Sequence, residues 1–187
     1  MVDGIPVTSA ARTAVDVARS QPFEVAVLLL DAALRTRAVD LAGLQEALAA
    51  VDGATGTRSA ARAVQFADGR SESVGESRSR VVLHRLGLMP TTLQLRVRTP
   101  GGRLIGRTDF GWDAQRVVGE FDGWVKYGRL LRPGQEPGDV VFEEKLREDE
   151  IRGEGWGVVR WTWGDLDVPA RLGTRVGRAL ARAAAAT

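Results

Sequence analysis

Apolar residues recur at intervals of three and four through the first seventy positions, the spacing that lines one face of a helix. The segments "ARTAVDVARS" after Thr8 or Ser9, "PFEVAVLLLDAALRT" with Pro22 near its start, and "DLAGLQEALAAV" after Asp40 each join that period to a residue type that favours a helix N-terminus. Two polar breaks interrupt them, "DGATGT" at 52–57 and "ADGRSESVG" at 67–75. The second predicts a boundary between a helical domain over 1–70 and an α/β domain over 71–187. From there the period shifts. A helix "ESRSRVVLHRLGL" precedes alternating strands near 92–98, 103–112 and 116–122, then a helix near 140–153, the strand "WGVVRWTW" and a last helix after Asp165. Helix, three strands, helix, strand, helix is an α/β order and predicts a central mixed β-sheet flanked by helices. The closing "RAAAAT" reads as a frayed end.

Composition narrows the class. With 187 residues, 44% hydrophobic and 27% charged, the chain can bury roughly 70% of its unfolded surface, and no stretch has the composition of disorder. It has no cysteine, no basic segment leading an apolar one, and no apolar run near the ~20 residues of a membrane span. A soluble, cytoplasmic protein is expected. Net charge is +2 and the pI about 9.6, yet all but Lys126 and Lys145 of the 26 basic residues are arginine. Guanidinium groups suit phosphates, although a GC-rich genome enriches arginine equally well. P-loop, dinucleotide, Cys/His metal and G-x-S-x-G motifs are absent, which removes the common nucleotide, zinc and serine-hydrolase classes.

The candidate chemistry lies in "GRTDFGWDAQRVVGEFDGWVKYG", residues 106–128. If "WDAQ" turns the chain, two strands pair antiparallel and Asp109 comes within a residue or two of Glu120. Asp122, two after Glu120, projects from the same face. One reading places these acids on the wet face of a sheet whose other face holds Val117, Gly119 and Phe121. The other reading starts from repulsion: three converging carboxylates need a cation, and all-oxygen ligands point to Mg²⁺ or Mn²⁺. His84 is expected to be a partly buried helix residue, and Trp161 and Trp163 to be core. Glu143–Arg147 and Glu148–Arg152 read as i, i+4 pairs on a solvated helix.

Asp109, ten residues, then Glu120 in a hairpin, with Glu76 on the preceding helix and "GWGVVRWTW" following, resembles the PD-(D/E)XK nuclease superfamily. The blocks "RTDF" and "EFDGWVK" are most similar to its very-short-patch-repair-like branch in actinobacteria, whose members read R-x-D-F and then E-x-D-G-x-x-H. The resemblance covers residues 73 to about 166. It implies a restriction-endonuclease-like fold and a metal-dependent DNA endonuclease. Asp109 and Glu120 would hold Mg²⁺ or Mn²⁺, which lowers the pKa of bound water while a nearby lysine orients it. Asp122 stands where the superfamily's lysine is usual, and Lys126 where the branch has histidine, so Lys126 is the candidate catalytic cation. Glu76 resembles the helical glutamate that completes the metal site; it equally fits a capping box with Ser73.

The stretch "GIPVTSAARTAVDVARSQPFEVAVLLLDAALRTRAVDLAGLQEAL" resembles the helical middle region of abortive-infection antitoxin-like proteins, which carry a winged helix first and a nuclease-like domain last. Here Met1 stands just before that stretch, which fits a truncated member or a start set too late. Two functions therefore stand: a DNA endonuclease, or a non-catalytic DNA-binding or regulatory protein of antitoxin type on a nuclease-like scaffold. They differ in whether Asp109, Glu120 and a lysine meet within reach of one metal.

Overall fold

The computed structural model describes residues 4–123 and 137–185, with backbone alone over 137–141. The chain forms two compact units, Met1–Val81 and Val82–Thr187.

Helices fill the first unit: α1 (Ala10–Ser20), α2 (Phe23–Arg35), α3 (Leu41–Ala49), α4 (Thr57–Phe66) and the first turns of α5 (Val74–Arg85). Ser9 caps α1 by accepting the Arg12 N–H at 3.1 Å, and Asp40 caps α3 by accepting the Gly43 N–H at 2.7 Å, which satisfies donors that a helix start leaves open. α4 has no such signal. It begins at Gly56, whose φ of +82° suits glycine and whose Cβ would lie 2.2 Å from the Arg19 carbonyl oxygen. Val15, Val27, Leu30, Leu44 and Ala63 form the dry centre.

The expected boundary near residue 70 is displaced, and a buried ion pair explains why. Arg80 meets Asp31 at 2.7 Å with both side chains almost fully buried. It also donates to the Phe66 carbonyl at 2.6 Å and lies over the Phe66 ring, while the other Asp31 oxygen takes the Asp68 N–H at 2.7 Å. These bonds fasten the connection after α4 to the helical core, which also contains Val81. The division falls inside α5, between Val81 and Val82.

The second unit holds β1 (Thr92–Arg98), β2 (Leu104–Trp112), β3 (Val117–Phe121), α6 (Pro137–Gly153), β4 (Gly157–Trp161), α7 (Trp163–Asp167) and α8 (Pro169–Ala184). The sheet order is β1-β2-β3-β4, antiparallel at the first two pairings and parallel at the third. This is the mixed sheet flanked by helices that the period shift predicted. Phe110, Trp112, Val117, Phe121, Val159 and Trp161 pack with Leu172 and Val176 of α8. On the other face, Val118 and Val158 pack with Ile151 of α6. All five residues of β3 are consequently buried. The expected last helix after Asp165 is α8, which Pro169 starts; the short α7, begun by a Thr162–Asp165 capping box, precedes it.

Candidate functional site

The hairpin forms as the sequence predicts. A 3-10 turn over Asp113–Gln115 and a left-handed Arg116 reverse the chain, and Asp113 accepts the Thr91 and Thr92 hydroxyls at 2.6 Å each, which holds its carboxyl below the usual value. Phe110 pairs with Gly119 and Trp112 with Val117; one step further along that register puts Asp109 beside Glu120. Asp109 Oδ2 accepts the Phe121 N–H at 2.9 Å, so the carboxylate supports the ladder where strand pairing ends.

Glu120 is not on a wet face. It is buried between two guanidinium groups, one from each neighbouring element. The parallel β3–β4 register sets Arg160 directly beside it, with Nη2 2.8 Å from Oε2. From α6, Arg147 Nη2 donates to Oε1 at 2.6 Å. The same two arginines share Glu144: Arg147 holds it at 2.5 and 2.9 Å, and Arg160 Nη2 bonds it as well. Arg160 Nε also lies 2.9 Å from Glu148 Oε2, near enough for attraction though not aligned as a hydrogen bond. Arg152 holds Glu148 at 2.7 Å. Three carboxylates thus face three guanidinium groups. Burial pushes the Glu144 carboxyl up, but its bonds to Arg147 and Arg160 outweigh this and hold it below the usual value. Burial likewise opposes the charge on Arg147, yet the bonds to Glu144 and Glu120 raise its pKa on balance.

The expectation of three converging acids meets a different arrangement here. The neutralising cations at Glu120 are side chains of the protein. Both Glu120 oxygens carry a guanidinium and Asp109 is bonded to backbone, so the pair as it stands does not fit Mg²⁺ or Mn²⁺, whose ligands must present oxygen lone pairs to one point. Among the described residues no group of three or more His, Asp or Glu is arranged to hold a metal.

Asp122 is half-buried, and its N–H donates to the Trp161 carbonyl at 2.8 Å, extending the ladder past β3. Lys126 lies outside the described residues. Glu76 sits in the capping arrangement, taking the Glu72 N–H and the Ser73 hydroxyl at 2.8 Å each while its own N–H donates to Ser73 Oγ at 3.1 Å. His84 is exposed, not partly buried. Trp161 is fully buried against Phe110, and Trp163 meets Phe121 edge-on, as core residues should. The sequence reading missed Arg147, Arg160 and Glu144. One local signal existed: Arg160 stands between Val159 and Trp161 in an apolar strand, where a solvated arginine is out of place.

Two relatives in Mycobacterium tuberculosis, in strains CDC 1551 and H37Rv and both named as uncharacterized proteins, are each 33% identical to the chain over 183 residues. The match covers 97% of this chain and 64% of theirs, so the chain spans less than two-thirds of the length of the curated relatives it matches. No family profile matches the chain, and no solved structure matches it.

Proposed function

We propose that this chain is a non-catalytic DNA-binding or regulatory protein on a nuclease-like scaffold. The observation that carries the reading is the Arg147–Glu120–Arg160 clamp, in which the hairpin glutamate is committed to holding β3, β4 and α6 together. DNA as the partner follows from the resemblance of the hairpin to DNA nucleases and from the surplus of guanidinium groups. The fold alone assigns no activity.

The test is a Mn²⁺ titration followed by thermal melting, run beside a nicking assay on supercoiled plasmid. The proposal expects no Mn²⁺-dependent rise in melting temperature and no metal-dependent nicking by the wild type, because a ligand stabilises only what binds it. A rise that disappears in Asp109→Ala would sink it.

That result would favour the second reading, a metal-dependent endodeoxyribonuclease. It is supported by the adjacency of Asp109 and Glu120, the spacing such a site requires. It requires Arg147 and Arg160 to leave Glu120 when metal and DNA bind. Arg147→Gln with Arg160→Gln exposes the difference: if the carboxylates are a latent metal pair, the double variant gains a Mn²⁺ response that the wild type lacks.

A further inference from the structure

We infer that the exposed face of α8 binds the phosphate backbone of duplex DNA through Arg171, Arg175, Arg178 and Arg182. This rests on the DNA-binding reading above and names its surface. The four arginines fall at i, i+4, i+7 and i+11, within about 60° of one another at 100° per residue and along about 16 Å of helix. All four are exposed and line a shallow depression of about 520 Å³ with Ala170 and Thr174. The opposite face is fixed inward, since Leu172 and Val176 are fully buried.

The pattern is not that of an ordinary solvated helix. α1 alternates sign and pairs Arg12 and Arg19 with Asp16, and α6 pairs its arginines with glutamates. α8 has no acidic residue. Arg175 is held by Asp165 at 3.0 Å and reaches the Arg160 carbonyl. Among the described residues, Arg171, Arg178 and Arg182 have no acidic partner, and Arg182 only touches the Arg178 carbonyl one turn back. Like charges at i, i+4 oppose each other, and Arg171 lies in the first turn, at the positive end of the helix dipole. An anionic partner offsets both costs.

The anion is a phosphate backbone and not a lipid surface. Helices that lie on membranes insert large apolar side chains, but the large hydrophobic residues of α8 face its own core, and none is among the exposed ones. A row of guanidinium groups over about 16 Å spans about five phosphates of one strand at 3.4 Å spacing.

The experiment measures fluorescence anisotropy of a labelled 30-base-pair random duplex with the full chain across a salt series. Arg171→Gln, Arg178→Gln and Arg182→Gln are combined, sparing Arg175 because it braces Asp165. A second triple, Arg35→Gln, Arg37→Gln and Arg58→Gln, removes equal charge from the helical unit. The α8 triple is expected to weaken binding at least tenfold and to flatten the slope of log K against log salt by about 2 to 3, near 0.9 per lost contact. The control triple should change neither. Arg178→Glu alone, mid-helix and exposed, should also weaken binding, and Arg→Lys at the same three positions should preserve the slope, so a folding defect in the Gln triple cannot hide the result. Equal losses in both triples, or an unchanged α8 triple, overturn the inference and leave the DNA-binding reading intact. Binding to phosphatidylserine vesicles in place of DNA overturns it too. A wild type that binds no duplex at low salt overturns the reading itself.

Discussion

Glu120→Gln separates the two electrostatic pictures by sign, before any substrate is known. If Asp109 and Glu120 were bare neighbours awaiting a metal, neutralising one would relieve repulsion and the metal-free protein would gain stability. In the clamp the change does the opposite. Glu120 accepts a charge-assisted hydrogen bond from Arg147 at 2.6 Å and is ion-paired with Arg160 at 2.8 Å, and breaking a well-buried pair costs about 3–5 kcal/mol. Here the loss is smaller. Both arginines keep Glu144, Arg160 keeps Glu148, and the two guanidinium side chains are 24% and 31% exposed, so water repairs part of the damage. A cost of about 2 kcal/mol is expected. All five tryptophans lie in residues 82–187, so tryptophan fluorescence reports the second unit alone. In a urea titration without metal, the midpoint should fall by about 1 M at an m-value near 2 kcal/mol/M. A midpoint equal to or above that of the wild type would refute the clamp.

Acid should weaken the same unit. Glu144 has a folded pKa below its ordinary 4.5, so its contribution is present above that unfolded value and is lost as pH falls through the folded one; the urea midpoint should drop below about pH 5, and less steeply in Glu144→Gln. Arg80→Met strands Asp31 in the helical core and should cost about 3–5 kcal/mol, read by far-UV circular dichroism because that unit has no tryptophan, while adding Asp31→Leu should recover part of the loss. Gly119→Ala should cost about 1–3 kcal/mol, since the new Cβ would lie 2.6 Å from Trp161 Cη2 and 3.1 Å from Trp112; an unchanged midpoint would mean that the buried Trp161 can shift.

Local signals made much of this fold legible. Ser9, Pro22 and Asp40 mark helix starts in the chain because capping uses neighbours in sequence, and the alternation of "VVGEF" marks a strand because the pleat has period two. The hairpin followed from the same logic, and so did the adjacency of Asp109 and Glu120. What failed was long-range. Gly56 starts α4 through a backbone contact with Arg19, thirty-seven positions earlier. The boundary moved because Asp31 reaches Arg80 across forty-nine positions. Arg147 pairs with Glu144 at i, i+3 and with Glu120 on the sheet, and its helix lies on the face that a local reading assigned to water. Glu148–Arg152 pairs at i, i+4 as the local rule has it.

The identity of the cation at a carboxylate is the least local property of all. Glu120 looks the same in sequence whether its partner is a metal or a guanidinium; the choice is made by a parallel strand pairing and by the helix that crosses between β3 and β4. Stability alone does not explain the charges, because a buried ionic network is often no more stabilising than well-packed apolar residues of similar volume. The same sheet face already uses that alternative at Val118 and Val158, two residues along the register. Where the two solutions stand side by side, the ionic one carries something packing does not. A clamp of fixed geometry sets the register of β3 against β4 and aligns α6 over both, since an arginine fork accepts a carboxylate in few orientations while apolar contacts tolerate many. Arg160 also passes that order to the other face: its carbonyl accepts from Arg175, which ties the strand behind Glu120 to the helix that bears the exposed arginine row.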